Sequence, residues 1–397
     1  MSNTTSVTGA VPGRQARPRS HLEISIEAEA HDLRVMKRRF AMTVEEGDVA
    51  DFNRRFFDIL DTLRRDVQVN GLALSQEKCD KYLDKLRLIG RAAFSKVIGS
   101  EAASFIADFE ARQREQFNRE TTLTVTTPAS FPLLWELLYA GPVKGKADPL
   151  QFWGFRFPVG RLYWDIGGQD DIAIQSGVFS AIHGALKHSP VEVEHLAQQL
   201  LQLCASLGIE LSLERLDHWS PDDAITITQL IEWFQSDEFR YGIVHFACHC
   251  DNPEAAGASE SYLRFTARQQ NLELSLAELM ARREAGFANE PLVFINACDS
   301  ATLGHLLQTL SFPSEFLGFG AGGVIATACI MPDNFAAAFS AQFYKRLLDQ
   351  QKLERDWVDV GEALYDTRLY FLENFKNPLG LGYNLYASSY QKLWITG

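Results

Sequence analysis

Three short and almost wholly apolar segments lie in the second half of the sequence, at residues 243–247, 292–297 and 324–329. Each has the length of a buried strand, and segments whose apolar residues recur at helical spacing lie between and after them. Strands that alternate with helices in this way predict a parallel sheet with helices on both faces. We therefore expect an α/β fold, an αβα sandwich built on a mostly parallel sheet.

The first part of the chain has a different pattern. Residues 1–20 are polar, with prolines and scattered arginines, and are expected to form a disordered tail. Within 21–119, the alternation at 22–28 is typical of an edge strand, and three segments with helical spacing follow it. This part is predicted to be a small helical layer packed on the main domain, which spans residues 120–397.

Local patterns predict further elements of the main domain. The β-branched segment 123–127 is typical of a strand, and Trp135 is predicted to open an apolar helix. A helix over 191–207 and a strand over 210–216 are expected from their periodicity, and Ser275 is predicted to cap a helix over 276–283. The glycine-rich segment 318–323 is similar to a dinucleotide-binding loop, but a strand follows it, so we interpret it as a tight turn.

The chain carries a formal net charge of −13 over 397 residues, which argues against nucleic acid or an anionic membrane as its main partner. The N-terminal residues lack a signal-peptide pattern, and the longest apolar run, 324–331, is too short to span a bilayer. We expect a soluble protein of the reducing cytoplasm, where clustered cysteines are more often catalytic or metal-binding than disulfide-bonded.

Two of the apolar segments end in reactive side chains. His249 follows the first segment and Cys298 directly follows the second, so both are expected at the same edge of the parallel sheet. Caspases carry their catalytic histidine about 50 residues before a cysteine that follows alanine. Here His249 precedes Cys298 by 49 residues, and Ala297 lies before the cysteine. This pairing predicts a site for peptide hydrolysis.

Peptide hydrolysis by a thiol needs a sulfur nucleophile and a group that protonates the leaving amine. His249 can accept the thiol proton of Cys298 and return it to the amine. The oxyanion of the tetrahedral intermediate needs backbone donors, and we expect the amides of Cys298 and Cys250 to supply them.

Other interpretations of these residues stay open. Cys298 alone could be a buried core thiol. Cys248, His249, Cys250 and Cys298 could together bind a metal, although neighbouring strand residues point to opposite faces and the spacing is not one that zinc sites use. His245 is interpreted as a core residue or a support of the site, and Cys248 as a packing residue. No cofactor is expected.

Taken in order, the segments resemble the CHAT domain family, caspase-like cysteine peptidases of the clan that includes caspases, separase and gingipains. The resemblance covers residues 120–397 well and 21–119 loosely. The matching segments are 135–138, 244–249, 272–279, 295–301, 322–327, 339–344, 361–364 and 383–386.

The resemblance implies a caspase-hemoglobinase fold, with Cys298 and His249 as the catalytic dyad of an endopeptidase that cuts a specific protein partner. It also implies gating by a protein activator or one signalled by a small molecule, in a prokaryotic defence or signalling system, with CRISPR-linked systems among those that the resemblance includes. The family usually has glycine after the catalytic histidine, where this chain has Cys250. A side chain there could narrow the approach of the substrate carbonyl, so a non-catalytic interaction module or pseudo-protease is the alternative function.

Substrate preference is implied by the same resemblance. In this clan the S1 pocket, which holds the residue before the cleaved bond (P1), forms around the strand after the nucleophile and its following loop, here residues 327–334. Thr327 and Asp333 are the substrate-binding candidates, and the carboxylate of Asp333 predicts Arg or Lys at P1. The other interpretation of Asp333 is an N-cap for the helix at 334–348.

Overall fold

The structure is a computed structural model that describes residues 19–27, 32–45, 47–164, 166, 171–174, 198, 201–202, 205, 226–251, 261–267, 270–297, 311–349 and 357–395. The predicted helix at 191–207 and strand at 210–216 lie, apart from a few positions, outside these residues. Within the described ranges, no helix has both the length and the apolar composition that crossing a lipid bilayer requires.

An eleven-stranded sheet forms the centre of the molecule, and a second sheet has three strands. The strands are β1 (Arg19–Glu27), β2 (Asp32–Val35), β3 (Arg38–Ala41), β4 (Glu120–Thr127), β5 (Val159–Tyr163), β6 (Asp171–Ile174), β7 (Ile243–Asp251), β8 (Tyr262–Ala267), β9 (Gln270–Ser275), β10 (Leu292–Ala297), β11 (Gly323–Thr327), β12 (Trp357–Asp359), β13 (Tyr383–Tyr386) and β14 (Lys392–Ile395). The large sheet has the order β3-β2-β1-β4-β5-β13-β11-β10-β7-β8-β9, and the small one β12-β14-β6.

The seven central strands of the large sheet lie in the order β1-β4-β5-β13-β11-β10-β7. In the described part of the sheet they are joined by five parallel pairings and by one antiparallel pairing, between β11 and β13. The predicted α/β fold with a mostly parallel central sheet is confirmed. Antiparallel hairpins, β2–β3 and β8–β9, extend the sheet at its two ends.

The helices cover both faces of the sheet. They are α1 (Asp48–Asn70), α2 (Gln76–Val97), α3 (Gly99–Phe117), α4 (Trp153–Arg156), α5 (Ile227–Phe234), α6 (Leu276–Ala281), α7 (Ser311–Gly318), α8 (Asp333–Asp349) and α9 (Val360–Phe375), with short 3₁₀ helices at Trp135–Leu137, Pro149–Gln151 and Pro378–Gly382. α6 begins where the sequence predicts, because Ser275 accepts a hydrogen bond from the Glu278 amide at 3.1 Å and the Glu278 carboxylate accepts one from the Ser275 amide.

β10 shows how the two faces are filled. Leu292 and Phe294 belong to a first core with α1–α4, α8 and α9, whereas Val293 and Ile295 belong to a second core with α5–α7. A strand buried on both faces is apolar at nearly every position, which explains the unbroken apolar segments of the sequence. The three N-terminal helices therefore share the first core with the central strands.

The position predicted for the first strand is wrong. β1 is not an edge strand, because it pairs with β2 on one side and, in parallel, with β4 on the other, from Arg19↔Glu120 to Ser25↔Thr126. Its alternation reflects one buried face, with Leu22 and Ile24 fully buried. Alternation reports burial of a face and does not distinguish an interior strand from an edge.

The helix predicted to open at Trp135 is also wrong. Only one 3₁₀ turn forms there, and the chain then uses its backbone for tertiary hydrogen bonds, from the Trp153 amide to the Leu138 carbonyl and from the Tyr139 amide to the Gly90 carbonyl. The Trp135 ring stacks on Trp153 with 6.1 Å between ring centroids. An apolar run that is buried on all sides carries no periodicity from which its backbone could be predicted.

The glycine-rich segment at 318–323 is a turn, as expected. α7 ends at Gly318, Gly320 adopts a left-handed φ of 88°, and β11 begins at Gly323. The Phe287 amide donates to the Phe319 carbonyl at 2.8 Å, which fixes the turn against the residues before β10.

A buried cluster of charges lies where β5 meets β13. Glu136 contacts two guanidinium groups: Arg161 forms a short ion pair with it, and Arg368 Nη2 lies 3.4 Å from its Oε1. Arg161 also donates to Asn384 Oδ1 at 2.6 Å, and Arg368 donates to the Tyr383 carbonyl at 2.6 Å. Two cations thus share one carboxylate among the described residues, with no exposure at Glu136 or Arg368.

The two guanidiniums respond differently to this environment. Burial acts to lower the pKa of Arg161, but Glu136, together with Tyr386 and Tyr163, outweighs burial and the pKa is raised. Burial lowers the pKa of Arg368 to about 10, and Glu136 offsets this only in part. Both side chains are charged at neutral pH, so the cluster depends on its single carboxylate.

We expect Glu136→Gln to lower the free energy of unfolding by about 3–5 kcal/mol, because it leaves two buried cations without a counter-charge. Glu315→Gln is the control. It removes the partner of Arg283 from a pair whose arginine is 40% exposed, and such pairs contribute about 1 kcal/mol or less. Chemical denaturation measures both, and equal losses for the two variants would contradict this assignment.

The described cysteines are all buried, and none forms a disulfide: Cys79, Cys248, Cys250 and Cys329. Burial raises the pKa of Cys79 to about 11 and that of Cys329 to about 12. Neutral, inaccessible thiols react slowly with alkylating reagents.

Brief treatment of the native protein with iodoacetamide at neutral pH is therefore expected to leave these four cysteines unmodified, whereas treatment in denaturant modifies them all. Peptide mapping by mass spectrometry reads each site separately. Rapid native labelling of Cys79 or Cys329 would show that the cores are not closed as described.

Candidate active site

The candidate site is built on the parallel pairing of β7 with β10. The two strands are in register over six residue pairs, from Ile243↔Leu292 to Cys248↔Ala297. Paired residues of neighbouring parallel strands point to the same face of the sheet, and the strands run in the same direction. Their carboxyl ends therefore meet at one edge, as the sequence predicts.

His245 belongs to the core. It has no exposed surface, its ring stacks on Phe294 of the paired position at a centroid distance of 4.9 Å, and its Nδ1 lies 2.9 Å from the Tyr344 hydroxyl of α8. These contacts agree with its interpretation as a core residue or a support of the site.

The two predicted catalytic residues are reached only in part. The backbone of His249 lies in β7, with its Cα paired with that of Arg264 in β8. The side chain of His249 and all of Cys298 lie outside the described residues. The residues that directly precede them in the chain, Cys248 and Ala297, are paired in the structure. The dyad remains a prediction, and the alternative of a metal site, which needs both residues, stays open.

Cys250, which stands where the family usually has glycine, is buried. Its side chain belongs to the second core together with Cys248 and Phe246, and its Cα is paired with that of Leu263. Cys248 is thus a packing residue, as interpreted from the sequence. The thiol of Cys250 lies on the opposite side of β7 from His245, whose ring packs on Phe294 of the first core.

The two candidates for substrate binding have different environments. Thr327 ends β11, is 2% exposed, and has its Cα paired with that of Tyr383 in β13. Asp333 is exposed and is the first residue of α8, so the helix begins one residue earlier than the N-cap interpretation assumes. Their contact with substrate remains a prediction.

Asn296 is a residue of this region to which the sequence analysis assigned no role. It is fully buried, and it lies in β10 two positions before Cys298 in the chain. Its Nδ2 donates to the Ala336 carbonyl in α8 at 3.1 Å, and its Oδ1 accepts from the Tyr383 hydroxyl at 2.6 Å. The signal that could have identified it is a lone amide at the end of an otherwise apolar strand.

Comparison with solved structures gives low-identity similarities. The chain is similar to the Saccharomyces cerevisiae separase–securin complex (12% identity, TM-score 0.41), covering 88% of this chain and 23% of that one. It is similar to the complex of the Porphyromonas gingivalis RgpB pro- and mature domains (11% identity, TM-score 0.45; 79% and 77% covered). It is also similar to the Drosophila initiator caspase Dronc (8% identity, TM-score 0.30; 59% and 86% covered).

This chain thus spans about a quarter of the separase chain that it matches. Comparison with curated proteins gave no match. The model of one protein family, described as the CHAT domain, matches residues 116–374, which is more than half of the sequence. The match contains β4 and the strands β7, β10 and β11 of the candidate site, and because it covers most of the sequence, the chain belongs to the CHAT domain family.

Proposed function

We propose that this protein is a cysteine endopeptidase that cuts a protein substrate, with Cys298 as the nucleophile and His249 as the general acid and base. The observation that carries the proposal is the register of β7 and β10. Cys248 and Ala297 are paired, and each is followed in the chain by one member of the dyad.

The face of the sheet on which neighbouring residue pairs lie also supports the pairing of His249 with Cys298. His245 is in register with Phe294, and Ala247 with Asn296. His245 contacts Phe294, and Asn296 bonds α8 on that same side. Two residues further along the chain from Ala247 and from Asn296 come His249 and Cys298. Neighbouring strands are about 4.8 Å apart, a separation at which an imidazole and a thiol can share a proton.

The chemistry follows from this pair. His249 accepts the thiol proton, and the sulfur attacks the carbonyl carbon of the substrate to form a C–S bond, while the carbonyl π electrons move to oxygen. When the intermediate collapses, the C–N bond breaks and His249 protonates the leaving amine. A water molecule, deprotonated by His249, then cleaves the thioester and releases the second product and the free thiol. Backbone amides at Cys298 and Cys250 are proposed to bind the oxyanion.

The packing of Cys250 supports activity over the alternative of a pseudo-protease. Its Cβ and thiol are committed to the second core, beside Cys248 and Leu263. A side chain on that side of β7 does not occupy the face on which His245 lies. Replacement of glycine by cysteine also retains the backbone N–H that an oxyanion hole requires.

We further propose a basic residue at P1, with Asp333 as its partner, and gating of the peptidase by an activator. The support for the first part is the position of Asp333, an exposed carboxylate six residues beyond the end of β11. A charge-assisted hydrogen bond to a guanidinium is worth about 1.5–3 kcal/mol, enough for a preference of tenfold or more.

Cys298→Ala and His249→Ala are each expected to abolish cleavage, with losses of at least about a thousandfold, because each removes one half of the proton-transfer pair. Mass spectrometry of a protein extract incubated with the enzyme identifies the bonds that are cut. Cys79→Ala, which removes a thiol from α2, is the control and keeps full activity. Identical cleavage by wild type and Cys298→Ala would refute Cys298 as the nucleophile, whereas full cellular function of both variants without any cleavage would favour an interaction module.

A peptide library is expected to show Arg or Lys at P1, and Asp333→Asn to lower kcat/KM for those peptides about tenfold or more through loss of the carboxylate. Glu373→Gln, which neutralises an exposed carboxylate of α9, is the matched control and leaves the preference unchanged. A library profile without a basic preference would refute the assignment of Asp333.

A further inference from the structure

We propose that Asn296 is a positioning residue of the candidate site, held by the Tyr383 hydroxyl, and that this bond sets the ionisation and reactivity of Cys298. The inference rests on the proposed function, because it assigns a role to a neighbour of the proposed nucleophile. Asn296 touches neither substrate nor thiol in this role. It acts through the end of β10.

Asn296 differs in chemistry from the rest of its strand. β10 reads Leu-Val-Phe-Ile-Asn-Ala, so Asn296 is its one strongly polar residue. Burial of an amide is unfavourable unless its donor and acceptor both find partners. Here the oxygen accepts from Tyr383 at 2.6 Å and the nitrogen donates to the Ala336 carbonyl at 3.1 Å. An apolar residue would fill this position without needing two such partners.

The two hydrogen bonds of Asn296 connect β10 to α8 and to β13. Ala336 is in the first turn of α8, which begins with Asp333. Tyr383 is in β13 and pairs with Thr327, the end of β11. Asn296 itself leads into Cys298. One buried side chain therefore joins the strand before the nucleophile to α8, which carries Asp333, and to β13, which pairs with the end of β11 that carries Thr327.

The Tyr383 ring is held in place by other aromatic rings. It stacks on Phe339 with 3.8 Å between centroids and 5° between planes, and it also contacts Phe335 and Phe294. Its carbonyl accepts from Arg368, which the buried carboxylate of Glu136 holds in turn. The hydroxyl is thus presented to Asn296 by a side chain with little freedom to move.

Positioning matters here because reactive groups must be held closely. A displacement of about 1 Å can lower a rate about a hundredfold. A thiolate beside an imidazolium is stabilised by that charge, so a loosened strand end raises the pKa of the thiol. The pH dependence of Cys298 reactivity therefore reports the role of Asn296 without any substrate.

The same layer supplies a matched control. The Tyr344 hydroxyl lies 2.9 Å from His245 Nδ1, a buried bond that also joins a central strand to another element, but His245 pairs with Phe294, two positions deeper in the sheet. Tyr344→Phe and Tyr383→Phe each remove one buried hydroxyl. A structural role alone predicts similar losses of thermal stability for both and no change in the reactivity of Cys298.

The experiment measures the rate of iodoacetamide modification of Cys298 against pH, by peptide mapping, in the full-length protein. We expect Tyr383→Phe to raise the midpoint of the wild-type profile by about one pH unit, which slows modification about tenfold below both midpoints. Tyr344→Phe is expected to keep the wild-type midpoint. His249→Ala, measured alongside, is expected to raise the midpoint to about 8.5, the value of a free thiol.

The outcomes separate the inference from the function on which it rests. If Tyr383→Phe overlays the wild type, or if both tyrosine variants shift alike, Asn296 is a structural residue and the inference is wrong, while a shift in His249→Ala still supports the dyad. If wild-type Cys298 titrates as a free thiol and His249→Ala changes nothing, the proposed dyad fails and takes the inference with it.

Discussion

Parallel pairing of β7 with β10 is the constraint on which the rest of the structure depends. The register decides which residues face each core, so Phe294 and His245 pack under α8 while Val293 and Val244 pack in the second core. A shift by one residue would reverse every one of these assignments. The same register brings the residues before His249 and Cys298 together. Packing of the core and geometry of the candidate site therefore depend on the same strand pairing.

Sequence patterns predicted the elements whose burial is simple. β10 has the predicted bounds because a strand buried on both faces is an unbroken apolar run, and α6 begins after Ser275 because its cap is local. The interior position of β1 was not predictable, since β4, its partner on the second side, begins far along the chain at Glu120. The helix predicted to open at Trp135 was wrong because an apolar segment surrounded by protein has no periodicity from which its backbone could be predicted.

The candidate site was predictable in its reactive residues and not in its supports. A histidine and a cysteine at the ends of apolar strands are visible in the sequence, and their pairing stays a prediction. The Asn296–Tyr383 bond joins residues 87 positions apart, and the Glu136–Arg368 contact joins residues 232 apart. No local pattern encodes such contacts. A polar residue in an apolar strand indicates only that some partner must exist.

The joint between β5 and β13 has a consequence for how such chains diverge. In the described sheet these strands pair through Leu385↔Gly160 alone, and a Cβ at Gly160 would lie 2.3 Å from the Ala387 carbonyl oxygen. The buried charges of Glu136, Arg161 and Arg368 form a cluster next to this joint. Related chains that lose one of these charges are expected to change another as well, because the remaining charge would stay buried without its partner. The two halves of the sheet are therefore expected to evolve together.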